Sequence, residues 1–361
     1  MLHPIRLPDS HIALARTVEL QARLMEWLCD PATTAADVTV ANLSLREPNV
    51  AAWLNWFAGL QDILPAMAHI ADLPDTEKSA IRNWFEGSHC FAEHFDRANP
   101  APTAWPAALP FPEPSASHVT KLLQRFYTAA YQVGKGLPFD SAGNPSEKGL
   151  KWEQYRETIR LANFGRVCPG CDGDLNSGEE LDHWIWKAPY PSLSVCPENL
   201  VLLCHKCNST GQKGSRPTYS AGAAPFADWF HPWLRQAAGK FSISINGADV
   251  TLAAIDPVDT ARVANLDNLL GLSGRWTQEA NSQISAGLIT LEVLLEGNTN
   301  LTEADARETL IHRYHEAVKS IGKQAHSFMR KAVLDDALAN PATILGWMIE
   351  ARTTIAQRGT P

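Results

Sequence analysis

The sequence lacks any long hydrophobic segment: no uninterrupted apolar run approaches the roughly 20 residues needed to cross a bilayer. The N-terminus has no basic segment followed by an apolar stretch, so we expect no secretory signal and a cytoplasmic protein. We find no internal repeat and no low-complexity tail. With 361 residues, of which 45% are hydrophobic, the chain has enough material for two or three domains with sizeable cores.

An excess of basic residues is also missing. The formal net charge is −8, with −5 over residues 1–150, zero over 151–220 and −3 over 221–361. A protein that binds duplex nucleic acid tightly by itself normally carries a basic patch with several phosphate contacts. We therefore expect that the overall electrostatic field of this protein does not drive it onto nucleic acid.

Helical patterns occupy both ends of the chain, and a small mixed segment lies between them. The pattern predicts a mainly α protein with a small α+β insert. A helix is expected at about 152–163, and alternating residues around Asn246–Gly247 predict a β-hairpin. The predicted units, in order, are a helical domain at 1–97, a proline-rich linker and helix at 98–150, the mixed domain at 151–217, and a helical domain with the hairpin at 218–361.

Four of the seven cysteines form two C-x-x-C pairs, Cys168/Cys171 and Cys204/Cys207, separated by 32 residues. Two such pairs in an intracellular chain favour metal binding over disulfides, and four thiolates suit a closed, tetrahedral, structural zinc site. A unit of about 50 residues buries too little apolar surface to fold alone, so a structural metal would supply the stability that it lacks. Outside the pairs, Cys29 and Cys90 are predicted to be core residues and Cys196 to be buried without binding metal.

Asp182 and His183 stand side by side in "EELDHWIW", between large apolar residues that suit a half-buried strand. Burying a carboxylate is costly unless a positive charge compensates it. The imidazole of His183 titrates near neutrality and can take a proton from water. Because side chains alternate along a strand, Asp182 is expected to point to the opposite face and to have a different role.

The whole segment "LDHWIWKAPYPSLSVCPENLVLLCHKCNSTGQKG" resembles the HNH endonuclease family, whose site is a ββα-metal finger. The resemblance rests on the Asp-His pair, the asparagine before "LVLLC", the C-x-x-C-N and a downstream lysine, in that order. It covers about 50 of the 361 residues and is greatest for a zinc-stabilised four-cysteine subgroup that is frequent in bacterial defence-type nucleases. The resemblance does not extend into the helical segments on either side.

The resemblance implies a role for each residue of this segment. Asp182 and Asn208 would bind a catalytic Mg²⁺ or Mn²⁺ through oxygen atoms, which suit these hard cations, so the charge partner expected for Asp182 is a divalent cation. His183 would be the general base. Asn199 would hold the loop that positions His183, while Lys213 and Arg216 would contact phosphate. Many family members have histidine where Asn208 stands, and asparagine is a common variant.

The expected function is therefore a metal-dependent endonuclease acting on DNA, with RNA left open as a substrate and no role at membranes. The acidic flanking segments lead us to expect a weak or restrained nuclease whose helical domains bind a protein partner or self-associate. Its expected role is that of the nuclease effector of a bacterial anti-phage or restriction system. The alternative is a zinc finger that binds nucleic acid or protein without cutting, although such a finger has no use for Asp182, His183 and Asn208 together.

Overall fold

A computed structural model of the chain describes residues 2, 5–95, 104–163, 167–175, 178–222, 224–246 and 249–358. The fold is mainly helical, with two small antiparallel two-stranded sheets in this part of the chain. The predicted fold class is thus confirmed. Among the same residues, each helix is too short or too polar to cross a membrane.

The N-terminal third is helical, as its periodicity predicts. Its helices are α1 (His11–Leu28), α2 (Val40–Arg46), α3 (Ala51–Ala58), α4 (Ile63–Ala71), α5 (Asp75–His89) and α6 (Ser115–Ala129). Within the predicted proline-rich linker, residues 98–103 lie outside the described part, and residues 104–114 form no helix or strand. Cys29 is buried, whereas Cys90, predicted to be a core residue, is only half-buried, at the start of the 3-10 turn that follows α5.

The central segment contains helix α7 (Trp152–Ala162), strands β1 (Glu179–His183) and β2 (Leu200–Cys204), and the short helix α8 (His205–Asn208). The strands pair antiparallel, with Glu179 opposite Cys204 and His183 opposite Leu200. All five residues of β2 are buried, which explains its uninterrupted apolar sequence. On β1, Leu181 and His183 are buried while Glu180 is exposed, the alternation expected of a half-buried strand.

A second hairpin and five helices complete the fold. The strands are β3 (Phe241–Asn246) and β4 (Asp249–Ala254), and the helices are α9 (Thr260–Leu270), α10 (Leu272–Gly297), α11 (Glu303–Ser320), α12 (Ser327–Ala339) and α13 (Pro341–Arg358). The predicted hairpin is present. Gly247, the second residue of its predicted turn, lies outside the described residues.

The central segment packs against helices from both ends of the chain, and buried apolar residues from all three regions form one contiguous cluster. On the N-terminal side, the carbonyl of Leu123 in α6 accepts hydrogen bonds from Gln21 and from the hydroxyl of Ser194. On the C-terminal side, the carboxylate of Asp172 accepts a 2.7 Å bond from the backbone amide of Phe328 at the start of α12. These contacts hold the central segment between the two helical parts.

Candidate functional site

The four paired cysteines converge on one point. All four residues are buried, and their sulfur atoms lie within 4.8 Å of one another. Cys168 Sγ is 3.8 Å from Cys207 Sγ, and Cys171 Sγ is 3.7 Å from Cys204 Sγ. Four thiolates bound to zinc at about 2.3 Å with tetrahedral angles lie about 3.8 Å apart. The cluster therefore has the dimensions of a Cys₄ zinc site, with no position left for a water ligand.

Groups around the cluster are placed to stabilise negative sulfur. Arg275, in α10, donates a hydrogen bond from Nη1 to Cys207 Sγ at 3.2 Å. The backbone amide of Cys204 donates to Cys168 Sγ at 3.4 Å. A side chain at Gly170, between the first two cysteines, would have its Cβ only 3.3 Å from Cys207 Sγ, so this turn needs a small residue. Donors and close packing of this kind are typical of structural metal–thiolate sites.

A cleft of about 350 Å³ runs along β1 and is lined by all five residues of the strand. Within the described residues, β1 pairs with a strand on one edge alone. Asp182 and His183, which leave the strand on opposite faces, both line this cleft. The rest of the lining comes from α6, α7, α8 and the adjoining loops, and consists of Tyr127, Tyr131, Trp152, Arg156, Lys187 and Asn208.

His183 is buried in the cleft wall, with 4% of its surface exposed. Its Nε2 lies 2.9 Å from the carbonyl oxygen of Ser194, and its ring packs on Tyr127 with centroids 4.7 Å apart. Because a carbonyl only accepts, Nε2 carries the hydrogen and Nδ1 of the neutral ring carries the lone pair. Burial lowers the pKa of His183 to about 3, and the positive charge of Lys187 acts in the same direction. The imidazole is therefore neutral at neutral pH.

Asp182 has a charge partner within the protein. Its Oδ2 lies 2.6 Å from Nζ of Lys213, whose side chain is fully buried. The same ammonium donates a 2.5 Å hydrogen bond to the carbonyl of His183. Burial raises the pKa of Asp182 and lowers that of Lys213, while each partner's charge opposes the other's shift. The phosphate contact predicted for Lys213 does not fit this geometry, because its ammonium is enclosed and paired rather than exposed to substrate.

Asn208 ends α8 and lines the cleft beside the carboxylates of β1. Its Nδ2 donates to Glu180 Oε2, which leaves the amide oxygen of Asn208 free to accept. Glu180 Oε1 also lies 3.0 Å from Nδ1 of the exposed His205. Glu180 and Asp182 are two residues apart on β1 and share a face, so two carboxylates and one amide oxygen border the same space. This donor set suits Mg²⁺ or Mn²⁺.

Asn199 is fully buried and spans the loop between β1 and β2. Its Oδ1 accepts a 2.7 Å bond from the amide of Ile185, and its Nδ2 donates to the carbonyls of Ile185 and Leu193 at 3.0 and 3.1 Å. The loop that it holds contains Ser194, whose carbonyl orients His183. Asn199 is thus placed to fix the position of His183 without entering the cleft.

Arg216, the other predicted phosphate contact, lies elsewhere. It is exposed, but Nη1 donates to the carbonyl of Asn268 at 2.8 Å, near the end of α9, and Arg216 does not line the cleft. The positive charges that do line the cleft are Arg156 and Lys187, with Lys187 Nζ 4.3 Å from the centre of the Tyr127 ring. Neither residue was predicted from the sequence, since Arg156 belongs to a helix with no motif of its own. For Lys187, the signal in the sequence was its place directly after Trp186, within the segment that resembles the HNH family.

Among curated proteins, the chain is similar to "Protein ea31" of Escherichia phage lambda, with 44% identity over 54 residues. The match covers 15% of this chain and 18% of ea31, so it spans less than a fifth of either protein. No protein-family model matches the sequence. No solved structure matches the fold.

Proposed function

We propose that this protein is a metal-dependent endonuclease of the HNH type that hydrolyses phosphodiester bonds of DNA. The observation that carries the proposal is the shared cleft, in which His183 and Asp182 from β1 and Asn208 from α8 meet beside a four-cysteine cluster. The cluster would hold zinc as a structural element. The cleft would hold Mg²⁺ or Mn²⁺ through oxygens of Asp182 and Asn208, with Glu180 as a further carboxylate.

In the proposed reaction, His183 accepts a proton from the attacking water at Nδ1. The Ser194 carbonyl accepts the hydrogen bond from Nε2–H, so it fixes the tautomer and stabilises the imidazolium that forms. A substrate phosphate entering the cleft brings negative charge close to the ring, which raises the low pKa of His183 toward the value that a base needs. The divalent cation, when bound, would stabilise the charge that develops on the phosphate and the leaving oxygen.

Charge also supports the idea that the nuclease is restrained. Among the described residues, the side chains that line the cleft include two basic ones, Arg156 and Lys187, and three acidic ones, Glu179, Glu180 and Asp182. We therefore propose that substrate delivery depends on a protein partner or on self-association through the helical segments, within a bacterial anti-phage or restriction system. The prediction that follows is weak DNA binding by the isolated protein at physiological ionic strength.

One observation favours the alternative, a finger that binds nucleic acid or protein without cutting. Asp182 is already paired with Lys213, so the carboxylate does not depend on a divalent cation for its charge balance. This pairing accounts for Asp182 but not for His183, whose Nδ1 lone pair has no evident structural role. If the protein is an endonuclease, replacing His183 reduces its cutting of DNA. If it is a finger that binds without cutting, replacing His183 has no effect on cutting.

Plasmid nicking tests the proposal directly. The zinc-loaded protein is incubated with supercoiled plasmid and Mg²⁺ or Mn²⁺, and nicked products are examined for 5′-phosphate and 3′-hydroxyl ends. His183→Ala should lose at least about a hundredfold in rate, the usual contribution of a general base. His312→Ala is the matched control, because His312 is an exposed histidine of α11, paired with Glu316, and it should cut within about threefold of the wild type. Equal cutting by wild type and His183→Ala would refute the proposal.

A further inference from the structure

The ammonium of Lys213 is buried beside the carboxylate of Asp182, which is proposed to bind the catalytic cation. Lys213 Nζ lies 2.6 Å from Asp182 Oδ2, and the lysine side chain is 0% exposed. A second contact, to the carbonyl of His183, fixes the ammonium in place. Since water does not reach this charge, its field is much less screened than that of a surface lysine.

The remaining charges near Asp182 do not cancel this field. Lys187, partly buried against Tyr127, adds a second positive charge on the cleft side. Glu180 lies on the same strand face as Asp182, and its carboxylate is engaged by Asn208 and His205. A divalent cation bound between Asp182 and Asn208 therefore lies one carboxylate group away from a fixed positive charge.

We propose that Lys213 is the resident counter-ion of Asp182 and competes electrostatically with the divalent cation for that carboxylate. This inference rests on the metal-dependent function proposed above. The ammonium keeps Asp182 neutralised while no cation is bound, and it holds the affinity of the site for cations low.

The competition follows from like charges at short distance. A +1 and a +2 charge that share one carboxylate repel each other, and the repulsion is strong where solvent is excluded. Without the ammonium, the largely buried carboxylate of Asp182 would lose its ion-pair partner, which destabilises the fold. A divalent cation would then take the place of the ammonium and bind more tightly. Metal affinity and metal-free stability should therefore change in opposite directions when Lys213 is replaced.

Mn²⁺ binding measures this effect without relying on cutting. The zinc-loaded wild type, Lys213→Met, Asp182→Asn and the control Lys240→Met are titrated with Mn²⁺, with free Mn²⁺ followed by its electron paramagnetic resonance signal. Methionine keeps the length and flexibility of the lysine stem without its charge. We expect Lys213→Met to bind Mn²⁺ at least tenfold more tightly than the wild type, and Lys240→Met, at an exposed position, to bind with unchanged affinity.

The outcomes separate this inference from the function on which it rests. If Asp182→Asn loses Mn²⁺ binding while Lys213→Met binds no more tightly than the wild type, the competition is refuted and the metal site stands. If Asp182→Asn binds like the wild type, the metal site itself is wrong. Thermal unfolding adds a second readout, since Mn²⁺ should raise the melting temperature of Lys213→Met more than that of the wild type. A Lys213→Met protein that stays unfolded even in saturating Mn²⁺ would overturn the inference, because the cation would have failed to replace the ammonium.

Discussion

Arg275 donates a hydrogen bond to the sulfur of Cys207 at 3.2 Å, across an interface between helix α10 and the four-cysteine cluster. Four thiolates around Zn²⁺ carry a formal charge of −2, and a half-buried guanidinium offsets part of it. The neighbouring Trp276 donates from its indole to the carbonyl of Cys171 at 3.1 Å. Helix α10 therefore contacts both cysteine pairs and takes part in stabilising the cluster.

Replacing Arg275 with methionine should loosen the proposed zinc site. We expect one zinc per chain in the wild type and release of that zinc to a chelator at least about tenfold faster in Arg275→Met, because outer-shell partners of metal ligands typically contribute 10- to 100-fold to affinity. Arg16→Met is the control, since Arg16 is exposed and makes only a surface ion pair with Glu19. The chelator-induced release rate is the measurement. Equal rates in the two variants would show that Arg275 does not support the metal.

Asn199→Ala should destabilise the protein by about 3 kcal/mol. The change leaves the buried amide and carbonyl of Ile185 and the carbonyl of Leu193 without their side-chain partner, and each unsatisfied buried group costs about 1–3 kcal/mol. Urea unfolding gives the difference in the free energy of unfolding. Asn281→Ala, at an exposed position of α10, should change it by less than about 0.5 kcal/mol. A loss below about 1 kcal/mol for Asn199→Ala would contradict the role of Asn199 in holding the loop.

Much of this site could be predicted from the sequence because its parts are close together in the chain. The C-x-x-C spacing fixes pairs of thiols within one turn, and the four cysteines indeed form one buried cluster. The helix at 152–162, the hairpin strands and the mainly helical fold follow from periodicity. Each of these predictions depends on local geometry that a short sequence determines.

The environment of the Asp-His pair could not be predicted in the same way. The ammonium beside Asp182 comes from Lys213, thirty-one residues later, and only the turn after α8 makes it point inward rather than toward solvent. The cleft also depends on Tyr127 and Arg156, from helices whose position relative to β1 is set by tertiary packing. The alternation along β1 was predicted correctly, but the sequence did not indicate that Asp182 and His183, on opposite faces of the strand, line one cleft.

Stability should fall on acidification below about pH 6.5 because His231 is held neutral. The residue is fully buried, and Nδ1 accepts hydrogen bonds from the amides of Trp233 and Leu234 at 3.3 and 3.2 Å. Burial lowers its pKa well below the usual value of 6.5. The unfolded chain then binds a proton that the folded chain does not, so stability begins to fall near pH 6.5 and keeps falling as the pH drops toward the lower pKa of the folded state.

The His231 contribution can be isolated with a side chain that does not titrate. In His231→Asn, the amide oxygen replaces the Nδ1 acceptor, so the free energy of unfolding should depend less on pH between about 5 and 6.5 than in the wild type. His312→Asn changes an exposed histidine and should leave the slope unchanged. Urea unfolding at several pH values is the measurement. A wild-type slope in His231→Asn would assign the acid sensitivity to other groups.

The most direct test of the account is the Mn²⁺ dependence of nicking in Asn208→Ala. The central claim is that the cysteine cluster and α8 bring the amide oxygen of Asn208 to the cation that Asp182 binds. With zinc retained, Asn208→Ala should require at least about tenfold more Mn²⁺ for half-maximal nicking than the wild type. Ser209→Ala, which changes the next residue and removes only an exposed bond to the carbonyl of Lys206, should match the wild type. Identical Mn²⁺ dependence in Asn208→Ala and the wild type would contradict the account.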